Sequence, residues 1–246
     1  MGVAFYAPMK PPTSPRPSGD RLMARLLMSA LKHAGHDVSL VSKFRSWNEN
    51  GDPKHQDLLE NRAKNVIKRI SKHNLSGIRV FKPDIWVTYH LYYKAPYLIG
   101  PQLSESLGIP YIVAEAFHAP KREIGRWARG HSAPEQAIRL ADHIISLNPA
   151  DKHCVILLLK KSVVITPLRP FLPAKRIFSG KKLRTAHRKL LVANAPNPEF
   201  PTLAAVAMMR KGDKYASYCA LTDALGRISY LSWKLLIVRD GPMRQA

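Results

Sequence analysis

VAFYAPMKPPTSPRPSGDRLMARLLMSALKHAGHDVSLVS, residues Val3–Ser42, decides the fold. Val3–Ala7 is a short apolar run closed by a proline-rich turn, and it predicts a strand. From Arg21 to His33 the apolar Leu22, Leu26, Leu27, Ala30 and Leu31 recur at helical spacing. Gly35 stands where a C-cap glycine belongs, and Asp37–Ser42 alternates into a second strand. Strand, loop, helix and strand make a βαβ unit, which calls for a parallel pair.

The alternation continues outward. Pro53–Leu75 is charged and amphipathic, Asp84–His90 reads as a strand, Pro96–Leu107 as a helix and Tyr111–Ala116 as a strand. A helix is expected around Pro134–Ala141 and a strand at His143–Leu147. Asn148, Pro149 and Asp151 then supply an N-cap, an N1 proline and an N3 acid, and Val163–Pro167 closes the series. Strands alternating with helices predict a doubly wound α/β domain, Rossmann-like, over residues 1–170. Residues 171–201 read as a basic, proline-rich linker. Beyond it, Thr202–Met209 predicts a buried strand, Tyr215–Leu225 a helix and Trp233–Val238 another strand, so 202–246 reads as the start of an incomplete second Rossmann-like domain.

Composition bounds the function classes. A chain of 246 residues with 46% hydrophobic and 23% charged residues has the material for a packed core. Its 39 Lys plus Arg against 17 Asp plus Glu give a formal charge of +22, which points to anionic partners. Cys154 and Cys219 form no CxxC, so neither a disulfide framework nor a structural zinc site is expected, and a reducing cytosol fits best. No apolar run reaches the roughly 20 residues of a spanning helix. Pro8, Lys10, Pro11 and Pro12 interrupt the first apolar run before a signal-peptide core forms, so export is not expected.

In a parallel sheet, ligands bind outside the carboxyl ends of the strands. After the first strand, Ser18, Gly19 and Asp20 precede a helix N-terminus, where Gly19 could bring backbone N–H groups to an anion or merely serve a turn. His90 ends one strand, and the next runs out through Glu115, His118, Lys121 and Arg122. His118 is the stronger candidate for catalysis, His90 the weaker, and Glu115 a possible base unless alternation turns it away. Arg210, Lys211 and Lys214, with Gly212, offer charge and close backbone approach for a diphosphate, or form a solvated basic loop. The eight histidines other than His90 and His118 show no ligand spacing, so no metal site is expected. The absence of GxGxxG, GxxxxGK[ST] and GxSxG lowers dehydrogenase, P-loop ATPase and α/β-hydrolase readings.

Seven blocks in order, VAFYAPMKPP, PSGDRLMARLLMSALKHAGHDVSLVS, PDIWVTYHLYYKAP, LGIPYIVAEAFHAPKR, ADHIISLNPAD, VAMMRKGDKYASY and WKLLIVRDGP, resemble family 4 glycosyltransferases. The resemblance implies a GT-B fold, with acceptor mainly on the first Rossmann-like domain and nucleotide-sugar donor mainly on the second. It implies sugar transfer from a nucleotide diphosphate sugar to an acceptor hydroxyl with retention, no cofactor and no metal. Gly19 matches the loop glycine that approaches the donor, His118 the histidine directed at the donor sugar, and Lys214 the lysine of the diphosphate grip. Arg210 supplies the arginine of that grip although Met208 holds its usual place, and RDGP, Arg239–Pro242, resembles a GDGP turn. Family members continue into an acidic E-x7-E segment that is not reached by Ala246, so a truncated donor domain is expected, with activity in question if the chain ends there.

The expected partners are therefore a nucleotide-sugar donor and a glycan or lipid-linked acceptor, with peripheral contact at the inner face of an anionic membrane and a cytoplasmic location. The alternative is a non-catalytic basic module binding anionic membrane surface or nucleic acid, motivated by eleven basic residues between Asp151 and Phe200. Specific nucleic-acid recognition is not expected, because the aromatics are not interleaved with that basic run.

Overall fold

The structure, a computed structural model, describes residues 1–75, 82–172, 200–238 and 241–245, and the chain divides into two units, Met1–Arg176 and Ile177–Ala246. In the first unit β1 (Gly2–Tyr6), α1 (Gly19–His33), β2 (Asp37–Ser42), α2 (Pro53–Leu75), β3 (Ile85–Leu91), α3 (Gly100–Leu107), β4 (Tyr111–Ala116), α4 (Ala128–Leu140), β5 (His143–Ser146), α5 (Lys152–Ile156) and β6 (Val164–Pro167) follow in turn. All neighbouring strands pair in parallel, in the order β2-β1-β3-β4-β5-β6. The order reverses between β1 and β3, which makes their carboxyl ends the topological switch point.

Helices cover both faces, as parallel strands require. On one face Met23, Ala24, Leu26 and Leu27 of α1 pack on Val3, Phe5, Val87 and Tyr89. On the other, Ala63 of α2, Leu103 of α3, Ile138 of α4 and Val155 of α5 pack on Ala4, Trp86, Val113 and Ile144. Within this face the Trp86 indole is paired, donating to Thr88 Oγ1 and to the Tyr97 hydroxyl, each at 3.1 Å.

The helix expected around Pro134–Ala141 begins earlier, at Ala128, and holds Pro134 in its interior. Gly130, one turn before that proline, lies so close to the Tyr93 carbonyl that a Cβ would approach to 2.5 Å, and His131 beside it is buried. Packing of this first turn overrides the start signal of the proline.

In the second unit β7 (Thr202–Ala205) and β8 (Lys234–Ile237) pair in parallel around α6 (Asp213–Gly226). The expected buried strand Thr202–Met209 is shorter and largely exposed. A two-stranded sheet with one helix cannot cover both faces of its strands. Residues 173–199 of the basic linker, and Arg239 and Asp240 of RDGP, lie outside the described residues. Among the described residues no helix is long and apolar enough to cross a membrane.

Candidate functional site

At the switch point three of the sequence-predicted residues, Gly19, His90 and Glu115, gather. Ser18 caps α1 by accepting from the Arg21 N–H at 3.1 Å, which starts the helix directly beyond β1 and places Gly19 and Asp20 on its first turn. The proline-rich approach to that turn is fastened by arginines: Arg21 donates to the Ser14 carbonyl, Arg25 to Pro12 and Arg45 to Met9. Part of the chain's excess of cations thus holds a loop that cannot form its own hydrogen-bond ladder.

From the neighbouring strands come His90 and Glu115, both in the left-handed region with φ of 65° and 61°. Residues with side chains rarely adopt this conformation, and such strain concentrates at functional sites. Its geometric effect is visible in the packing. In β3, Tyr89 belongs to the core under α1 and Leu91 to the core on the opposite face, although residues two apart in a regular strand share a face. In β4, Ala114 and Ala116 are split between the two cores in the same way. The register pairs Tyr89 with Ala114 and Leu91 with Ala116, so the two interruptions lie side by side and turn His90 and Glu115 together.

His90 Nδ1 lies 3.4 Å from Asp20 Oδ1 and 3.7 Å from Glu115 Oε2. The His90 ring holds the Asp20 carboxyl below its ordinary range, against the opposing effect of partial burial. Burial, reinforced by the Glu115 carboxylate, pushes the Tyr89 phenol well above its ordinary range, so it stays protonated. Asp151 is moved upward by burial, while the Asn148 amide and His90 pull the other way. Beside these groups a cleft of about 510 Å3 is lined by Gly19, Asp20, Glu115 and Asn148 and by apolar Leu22, Met23 and Phe171 among others. A mostly apolar cavity with a few convergent polar groups is the usual form of a small-molecule site. A Cβ at Gly19 would meet nothing within 4 Å, so internal packing does not require glycine there.

His90, Glu115 and Gly19 are therefore brought together, and Asp20, which the sequence places only at the start of a helix, joins them. Its signal was available in the run Ser18-Gly19-Asp20 after the first strand, but its reach to His90 depends on the β1–β3 pairing that no local pattern reveals. Neither histidine lines this cleft directly: His90 adjoins it through Asp20 and Glu115, which do, whereas His118 has no such link. Its ring lies 4.6 Å from that of His131 on α4, and burial holds its pKa below the ordinary value. Lys121 is exposed on the short 3-10 turn Pro120–Arg122. In the second unit Arg210 and Lys214 are exposed, with Lys214 on the first turn of α6 after Gly212 at φ 84°. There Met243 N–H donates to the Met209 carbonyl, and a Cβ at Gly241 would run into the Met209 backbone. The VAMMRKGDK segment and the described end of RDGP are thus in contact.

No protein-family model and no curated protein matches the chain. Among solved structures, the crystal structure of Glycyrrhiza uralensis UGT73P12 complexed with glycyrrhetinic acid 3-O-monoglucuronide aligns with 95% of this chain and 68% of that one, at 8% identity and a TM-score of 0.39.

Proposed function

We propose that the chain transfers a sugar from a nucleotide diphosphate sugar to the hydroxyl of an acceptor held in the Gly19–Phe171 cleft. The observation that carries this reading is the His90, Asp20 and Glu115 cluster, at the switch point of a parallel sheet and at the edge of an apolar cleft. With its proton on Nδ1, the nitrogen that faces the two carboxylates at 3.4 and 3.7 Å, His90 would offer Nε2 to accept a hydrogen bond from the acceptor hydroxyl. That hydrogen bond orients the oxygen toward the anomeric carbon and raises its electron density. The new bond forms between the acceptor oxygen and the anomeric carbon, the bond from that carbon to the diphosphate breaks, and the acceptor proton leaves on the diphosphate when configuration is retained. The resemblance assigns Arg210 and Lys214 of the second unit to the diphosphate of the donor, where cations would stabilise the leaving group. The apolar lining suits an acceptor alcohol with a hydrocarbon or aromatic body, which includes the lipid-linked class.

The test is release of nucleoside diphosphate from a panel of nucleotide diphosphate sugars in the presence of lipid and aromatic alcohols. Release that depends on both the protein and an alcohol supports the reading. Absence of release across the panel, with the protein folded, rejects it.

A further inference from the structure

A second cluster lies outside the cleft, between the segment that follows β4 and the helix α4. His131 and Glu135 are four residues apart on α4 and so stand on one side of the helix, where His118 meets them. One ligand atom from each of the three lies within 4.8 Å of the others. The His118 and His131 rings are inclined at 41° with centroids 4.6 Å apart. His131 is only 4% exposed. Neither ring nitrogen of His118, nor Nε2 of His131, has a hydrogen-bond partner among the described residues.

Three buried ring nitrogens without partners, on two rings that lie against each other, is a costly arrangement, because a buried polar atom that loses water must recover a partner. Two neutral imidazoles could relieve it by an N–H to N bond, and these do not. We propose that His118, His131 and Glu135 bind a divalent metal ion of the zinc class, as three protein ligands with one position open. Two imidazoles and one carboxylate are the donor set of open zinc sites. The Glu135 carboxylate is already oriented: its Oε1 accepts from Arg139 Nε at 3.1 Å and Nη2 at 2.8 Å, which leaves Oε2 for the ion. A ligating carboxylate is commonly held by such an outer partner. Bonds of zinc length put tetrahedral donors about 3.4 Å apart. The present spread up to 4.8 Å closes by rotation of the partly exposed His118 and Glu135 side chains. Binding would tie the segment after β4 to α4, and it does not depend on the glycosyl-transfer reading.

The experiment adds Zn2+, and Co2+ as an optical reporter, to chelator-treated full-length protein. One equivalent of Zn2+ should bind and raise Tm in a concentration-dependent way, and Co2+ should give visible ligand-field bands of low-coordinate intensity. His118→Ala and Glu135→Gln, at partly exposed positions, should keep the wild-type far-UV spectrum while losing the bands and weakening Zn2+ binding by about 100-fold or more. His131→Gln should behave alike if it folds. Absence of Co2+ bands in the wild type overturns the proposal. So does a Zn2+-induced rise in Tm that persists in both His118→Ala and Glu135→Gln, which would place the ion on other histidines.

Discussion

His90 and Glu115 stand side by side on neighbouring parallel strands, both left-handed, with Nδ1 3.7 Å from Oε2. Neither conformation is required by a turn, since both strands continue one residue further before ending. The two bends move the next residue of each strand to the opposite core and bring His90 between the carboxylates of Asp20 and Glu115. Strain of this kind is retained where the side chain has work to do.

Relieving that strain should therefore stabilise the protein and impair it at once. His90→Gly places a residue at φ 65° that adopts this region freely. Urea melts should show a gain of about 1 kcal/mol, and nucleoside diphosphate release should be lost. A destabilised His90→Gly would show that the side chain serves packing instead.

Asp20 sets the acid limb of stability. Its folded pKa is lowered, mainly by His90, so its contribution is present above the unfolded carboxylate pKa and is lost as pH falls through the folded value. Asp20→Asn should remove that contribution, giving a smaller loss of Tm between neutral and strongly acidic pH than the wild type shows. Parallel Tm profiles for the two proteins would contradict the pairing with His90.

Asp151 has the opposite sign. Burial raises its folded pKa, so the ionised form is disfavoured in the fold and costs stability at pH above that value. Asp151→Asn should raise Tm at pH 7 and change it little near pH 3, where both states are protonated. An equal shift at both pH values would assign the effect to packing.

Two glycines should respond in contrary ways to one methyl group. At Gly130 a Cβ would sit 2.5 Å from the Tyr93 carbonyl oxygen, which is backbone and cannot swing aside, so Gly130→Ala should cost stability by about 1–3 kcal/mol. At Gly19 the space is open and lies on the cleft, so Gly19→Ala should leave Tm unchanged or higher while weakening ligand binding. Thermal melts of the two variants, with binding measured for Gly19→Ala, decide both.

Much of the first unit was legible in the sequence because its signals are local. β2 and β4 coincide with the runs Asp37–Ser42 and Tyr111–Ala116, whose alternation or apolar character needs no tertiary context. The start of α4 was not legible, because Gly130 and His131 are helical for reasons of packing that Pro134 conceals. Glu115 illustrates the same limit at the site. Strand alternation alone assigns its side chain to one face, and only the left-handed φ shows that alternation stops there. His131 stands four residues before Glu135, but it lies outside the expected helix, and its meeting with His118 depends on how α4 lies against the end of β4.

If His90 orients the acceptor hydroxyl, kcat for transfer by His90→Gln measured beside the wild type reports it. Gln keeps a polar side chain of similar reach and removes the imidazole, so a fall of about 100-fold or more with unchanged Tm is predicted. An undiminished kcat in His90→Gln would show that the imidazole does not orient the acceptor.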